Sequence, residues 1–276
     1  MVLAVVVVGA GCDYPLLEPP GPAPVRYRDR IFPSVTKTSD IVYGSADDLS
    51  GNPVTLRLDL YEPTGDTLGQ RPAVVWVHGG SFSSGDKTSP EIVDEATQFG
   101  RMGYVGVSIN YRLDPSGCSA SAPTQRCIQT MGQAMADARR AVRFLRTNAV
   151  TYRVDPTRIA VAGTSAGAIT AMHVAFGSGE DPASAVGAGV ALSGANIFMP
   201  PGPGDAPVLL FHGTYDTLVP YKWATATVRM ATEKGLEAFL TTYAGEGHVP
   251  YRHRDEIIAR TRNFLYWQLR LLEAPT

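Results

Sequence analysis

Ser165 stands in the pentapeptide Gly163-Thr164-Ser165-Ala166-Gly167, between a short apolar run at residues 158–162 and a small-residue stretch that reaches Phe176. That order reads as strand, sharp turn and helix. Small neighbours allow the tight turn, which pushes the hydroxyl out above the sheet at a helix N-terminus. A serine hydroxyl is a poor nucleophile near neutral pH. It needs a base within hydrogen-bond reach, usually histidine, and a carboxylate to hold the imidazole and stabilise its charged form. The chemistry open to such a set is acyl transfer through a covalent serine intermediate.

Five histidines are available as the base. His248 lies in the Gly-flanked segment Gly245-Glu246-Gly247-His248, after the last predicted strand and before the last predicted helix. His78 belongs to another motif, His173 falls on the helix after the serine, His212 ends a buried strand, and His253 precedes the final helix. Structural roles are expected for those four. For the carboxylate, Asp216 falls in the turn after the predicted strand 208–212, and Glu246 is the alternative. A tetrahedral intermediate also needs donors for its oxyanion, each typically contributing about 3 to 4 kcal/mol. His78-Gly79-Gly80-Ser81 directly follows the apolar run 73–77, so the backbone N–H groups of Gly80 and Ser81 can face that of Ala166. Glycine lets backbone approach closely there.

Residues 54–62 alternate Leu56, Leu58 and Leu60 with Thr55, Arg57 and Asp59, which predicts a half-buried strand in an antiparallel hairpin with residues 41–43. The pattern then changes to continuous apolar strands alternating with helices, as in a parallel sheet covered on both faces. Strands are predicted at 73–77, 104–109, 158–162, 188–192, 208–212 and 237–243. Helices are predicted at 90–102, 129–148, 166–176, 221–234 and 254–272. In the second helix Ala134, Ala138, Ala141, Val142 and Leu145 recur on one face. Arg139, Arg140, Arg143 and Arg146 are expected to face solvent.

The chain of 276 residues, 44% hydrophobic and 18% charged, suits one large globular domain. With 24 basic against 26 acidic residues it lacks the basic excess that dominates nucleic-acid affinity. Residues 1–12 form an apolar run ending at Cys12, which resembles the end of a bacterial lipoprotein signal and would make Cys12 the lipidated residue. A membrane association is expected only through that anchor. Residues 13–40 are rich in Pro and charge and are expected to form an extended tether, with the catalytic domain spanning 41–276. Cys118 and Cys127 lie in a polar, turn-rich segment where a short-loop disulfide forms in an oxidising compartment. Their spacing fits no zinc pattern.

Taken together, these segments resemble the α/β-hydrolase superfamily, in particular the bacterial esterase and lipase branch related to hormone-sensitive lipase and carboxylesterases. The resemblance covers residues 54–271. It rests on His78-Gly79-Gly80-Ser81-Phe82, Ser108-Ile109-Asn110-Tyr111-Arg112-Leu113, Asp155-Pro156-Thr157-Arg158-Ile159, the Ser165 pentapeptide, the Asp216 turn and the His248 loop. The order serine, acid, histidine is that of the family's triads. The resemblance implies Ser165 as nucleophile, His248 as general base and acid, Asp216 as orienter, and Gly80, Ser81 and Ala166 as oxyanion donors. The implied fold is α/β, a mostly parallel sheet with an antiparallel N-terminal hairpin and helices on both faces. The stretch 193–206 is too short for a large lid, so the cysteine loop and the amino-terminal segment are expected to wall an open site. The implied activity is carboxylester hydrolysis on short acyl chains, without cofactor or metal, by a secreted or surface protein. Feruloyl, acetyl-xylan or polyester hydrolysis, peptide hydrolysis, and a non-catalytic binding role are the alternatives.

Overall fold

The computed structural model describes residues 13–15, 17–119 and 122–274. Cys12 and the apolar run before it lie outside the described residues. Among the described residues eight strands form one sheet: β1 (Val35–Asp47), β2 (Pro53–Pro63), β3 (Arg71–Val77), β4 (Val105–Ile109), β5 (Val154–Thr164), β6 (Ala188–Leu192), β7 (Val208–Gly213) and β8 (Ala238–Tyr243). Their order is β1-β2-β4-β3-β5-β6-β7-β8. The first two pairings, β1 with β2 and β2 with β4, are antiparallel, and every pairing from β4 to β8 is parallel. The expected mixed sheet is therefore present.

The described residues cover it with five α-helices: α1 (Pro90–Met102), α2 (Gln125–Thr147), α3 (Ala166–Ala175), α4 (Tyr221–Glu233) and α5 (Arg254–Gln268). Period-two side-chain alternation splits the central strands between two cores. Ala73, Val75 and Val77 of β3 pack under α2, α3 and α4, whereas Val74 and Trp76 pack under α1 and α5. Trp76 meets Phe99 of α1 with ring centroids 5.3 Å apart. Parallel strands buried on both faces must be apolar throughout, which is why these segments read as unbroken runs.

Three features depart from the sequence reading. Residues 13–15 and 17–34 lie along the body instead of leading away from it: Tyr14 is 4% exposed between Phe239 and Phe264, and Tyr27 is fully buried against Tyr104. The aromatic rings, hidden among Pro and charge in the sequence, supply the apolar area that docks this segment. Its described residues lie against α5 and β8 at Tyr14 and against the end of α1 at Tyr27 and Phe32, and none of them lines the cleft around Ser165. Asp59, on the polar side of the β2 alternation, is buried because Lys37 and Lys87 cover it at 2.8 Å each.

The arginines of α2 also clamp neighbouring elements instead of facing solvent. Arg139 pairs with Glu180 at 3.1 Å, Arg143 with Asp181, and Arg140 donates to the Ser45 carbonyl. Arg146 donates to the carbonyls of Pro156 and Ala185. Long arginine stems carry the guanidinium past the helix edge to carboxylates and carbonyls of neighbouring elements.

Candidate active site

The turn between β5 and α3 leaves no room for a side chain two residues before or two residues after Ser165. A Cβ on Gly163 would stand 2.5 Å from the Gly167 backbone, and one on Gly167 would stand 2.0 Å from the Val77 carbonyl oxygen. Ser165 itself adopts φ 53° and ψ −119°. A non-glycine residue held there stores about 1 to 3 kcal/mol of strain, which surrounding structure must hold in place. Its N–H donates to the Leu192 carbonyl at 2.8 Å, and its carbonyl accepts from Ile169 N–H at 3.0 Å. Ser81, Phe82, Ser193 and Val249 also have positive φ. Four of these five residues line the cleft around the serine, and the fifth, Ser193, bonds the backbone of the His248 loop.

Asp216 and His248 arrive from the loops after β7 and β8. His248 Nε2 lies 2.7 Å from Ser165 Oγ, and its Nδ1 lies 2.8 Å from Asp216 Oδ2. A carboxylate only accepts, which places the proton on Nδ1 and leaves Nε2 to accept from the serine hydroxyl. Burial alone would raise the Asp216 carboxyl. Hydrogen bonds from His212, His248 and the Val219 N–H overcome that effect and hold it far below the usual carboxylate range. Its Oδ1 accepts from the N–H groups of Leu218 at 3.0 Å and Val219 at 2.9 Å.

The loop around His248 is fastened from several sides. Val249 N–H donates to Ser193 Oγ at 2.8 Å, and Gly245 N–H to Thr214 Oγ1 at 2.9 Å. Gly213 lets the two loops close on one another, since a Cβ there would stand 2.3 Å from the Gly247 carbonyl oxygen. Glu246, the alternative acid, turns away and pairs with His253 at 3.1 Å and with Arg252.

Opposite the serine, the segment after β3 runs close to the elbow: a Cβ on Gly79 would be 3.2 Å from Ser165 Cβ. Gly80 takes φ +111° because a Cβ would strike the Ser84 carbonyl at 2.1 Å. Burial lowers the pKa of His78, whose Nδ1 lies 2.6 Å from the Gly79 carbonyl, and its ring stacks on Tyr111. Tyr111 in turn donates to the His78 carbonyl at 3.0 Å. Among the described residues, the N–H groups of Gly80, Ser81 and Ala166 make no hydrogen bond. Arg112, from the same motif as Tyr111, anchors this region through Asp137 of α2, with Nη2 2.7 Å from Oδ1.

A disulfide joins Cys118 to Cys127 with Cα atoms 4.9 Å apart. Cys118 lines a cavity of about 230 Å³ beside Ser165, as expected of a wall. No helix occupies the connection between β6 and β7. It is tied down by His173, whose Nε2 accepts from Ile197 N–H at 3.1 Å and whose pKa burial lowers to about 3.

The residue that sequence reading missed is His212. Its Nε2 lies 2.7 Å from the Val219 carbonyl and 3.2 Å from Asp216 Oδ2, so a second histidine grips the same carboxylate. Both partners are acceptors, which assigns the proton to Nε2. The signal was a histidine closing an otherwise apolar strand four residues before the acid.

Comparison with known proteins gives two family matches, BD-FAE over residues 58–185 and the prolyl oligopeptidase family over residues 195–274. The chain is 37% identical over 114 residues to phenmedipham hydrolase of Pseudarthrobacter oxydans, an alignment covering 41% of this chain and 21% of that protein. It is 31% identical over 111 residues to chlorogenic acid esterase of Aspergillus niger, covering 40% and 21%. Each alignment thus spans about a fifth of the curated relative. Among solved structures, Thermogutta terrifontis esterase 2 phosphonylated by cyclosarin superposes with a TM-score of 0.68 at 20% identity, covering 89% of this chain and 97% of that one.

Proposed function

We infer that this chain is an esterase of the α/β-hydrolase type whose reaction is serine-dependent hydrolysis of short-chain carboxylic esters, a reading supported by the family match over residues 58–185 and by the fold. The observation that carries this reading is the unbroken relay from Asp216 through His248 to Ser165, with links of 2.8 and 2.7 Å. Ser165 Oγ attacks the ester carbonyl carbon while its proton passes to His248 Nε2. The carbonyl π pair moves onto oxygen, where the N–H groups of Gly80, Ser81 and Ala166 are the free donors available to it. As the intermediate collapses, the bond to the alcohol oxygen breaks and His248 returns the proton to that oxygen. Water, deprotonated by His248, then attacks the acyl carbon, and as the bond to Ser165 Oγ breaks His248 returns the proton to that oxygen, releasing the acid and the free serine. Nucleophile and proton transfer both come from side chains, so the reaction requires no cofactor.

Short acyl chains are favoured by the open cleft and the lid-free connection after β6. The Cys118–Cys127 bridge supports an exported protein, because such bonds persist in oxidising compartments. Lipidation of Cys12 would place it at a membrane surface.

A series of p-nitrophenyl esters from acetate to decanoate tests the assignment. Hydrolysis is expected to favour the short esters, and Ser165→Ala is expected to lose at least about 10⁴-fold in kcat. Ester hydrolysis undiminished in that variant would remove Ser165 from the mechanism. The prolyl oligopeptidase family match over residues 195–274 supports peptide hydrolysis as a second reading. Cleavage of a peptide p-nitroanilide without any ester turnover would select it.

A further inference from the structure

The end of β6 holds all three members of the relay without being one of them. The Leu192 carbonyl accepts from the Ser165 N–H at 2.8 Å. Ser193, the next residue, donates its N–H at 2.8 Å to the Phe211 carbonyl of β7, the strand that leads into the Asp216 turn. Its hydroxyl accepts from the N–H of Val249, the residue after His248, at 2.8 Å. Ser193 is fully buried, and a Cβ on the following Gly194 would stand 2.4 Å from Ala168 Cβ. The junction is thus pressed against the first turn of α3, the helix that Ser165 opens.

The hydroxyl contact joins two strained residues. Ser193 stands at φ 53° and Val249 at φ 48°, both in the left-handed region. Valine is a poor fit there, because a β-branched side chain crowds its own backbone. Such a conformation lasts only where the surrounding contacts over-determine it. The Val249 carbonyl accepts from the Tyr251 N–H at 2.6 Å, a bond internal to the loop. Among the hydrogen bonds of the described residues, the one from the Val249 N–H to Ser193 is what fastens this residue to the end of the sheet. Relaxation of Val249 to negative φ would turn the chain beside His248 and carry the imidazole off the line on which Nε2 stands 2.7 Å from Ser165 Oγ. The loop's other hydroxyl anchor, Thr214 Oγ1, holds Gly245, whose φ of +77° glycine adopts freely. Of the two anchors, the one at Ser193 opposes strain.

We propose that Ser193 is a positioning residue for the reaction. Its hydroxyl holds Val249 in the left-handed conformation that aims His248 at Ser165, and its backbone ties that setting to the strand leading to Asp216. This rests on the serine-esterase reading above.

The test is a double-mutant cycle on kcat and KM for p-nitrophenyl acetate, with rates expressed per folded protein as measured by near-ultraviolet circular dichroism. Ser193→Ala is expected to lower kcat about 10- to 100-fold at constant KM, the loss that a misplaced catalytic group brings. Ser193→Gly also lacks the hydroxyl but suits the left-handed backbone, so it is expected to match the alanine variant and to serve where that one folds poorly. In a Val249→Gly background the left-handed conformation no longer needs to be enforced. There, removal of the Ser193 hydroxyl is expected to cost no more than about 3-fold. Equal losses in the two Val249 backgrounds, a loss carried by KM, or full activity in Ser193→Gly overturns the proposal while esterase activity stands. Absence of any ester turnover in the unaltered protein would instead take down the esterase reading and this one with it.

Discussion

At Ser165 the position is set by backbone meeting backbone: Gly163 and Gly167 press on each other and on Val77, and nothing larger fits. At Asp216 and His248 it is set by side chains that reach across loops, with His212 and Ser193 holding the turns and Tyr251 donating to Asp94 of α1 at 2.7 Å. Arg254, three residues beyond Tyr251, pairs with the same aspartate. The nucleophile is therefore as rigid as the sheet. Its two partners are as well placed as their hydrogen bonds allow, so damage to the first region should cost the fold and damage to the second should cost rate or pH range.

The largest expected effect is at the elbow. Gly167→Ala puts a Cβ against the Val77 carbonyl, where neither backbone can yield, and should destabilise the protein by at least about 3 kcal/mol. Urea denaturation measures it. A variant of unchanged stability would mean that the elbow is not held by backbone contact.

A pH effect of intermediate size is expected beside the loop anchor. Glu95, next to Asp94, is 1% exposed, and neither of its oxygens has a hydrogen-bond partner. Burial pushes its pKa up to about 8, aided by the Asp94 charge and opposed by Arg254 and Tyr251. The folded value lies above the ordinary 4.5, so the stabilisation is complete below that pH and is lost as pH rises toward 8. Stability should fall by an order of a few kcal/mol between about pH 5 and pH 8, and Glu95→Gln should flatten the slope. Denaturation midpoints that stay level across that range would remove Glu95 as its source.

The smallest expected effect is at His212. His212→Leu deletes a donor to the Asp216 carboxylate and should lower kcat about 10- to 100-fold at constant KM. His212→Gln, which keeps an N–H donor, should recover most of that loss. Equal losses in both variants would reduce His212 to packing.

The contrast between the regions also explains what was legible in sequence. Strands β3, β4, β6 and β7 could be read as apolar runs because burial on both faces imposes that composition locally, and the elbow could be read because its glycines are neighbours in the chain. His212 was assigned to the core because its strand is apolar; its contact with Asp216 depends on how the following turn folds back. The α2 arginines looked solvent-facing because their partners, at residues 45, 156, 180, 181 and 185, come from other elements. Tyr14 and Tyr27 were hidden for the same reason, since a lone aromatic in a Pro-rich stretch does not reveal the groove that receives it.

By itself the amino-acid order determined the strand and helix sequence, the turn that exposes Ser165, and the candidates Asp216 and His248, because each depends on residues within about one element of one another. The tertiary structure alone decided that His248 meets both Asp216 and Ser165, that the arginines of α2 clamp neighbouring elements, and that the described amino-terminal residues dock away from the cleft. Those outcomes depend on distances between segments tens to hundreds of residues apart, which only the packed sheet brings within hydrogen-bond reach.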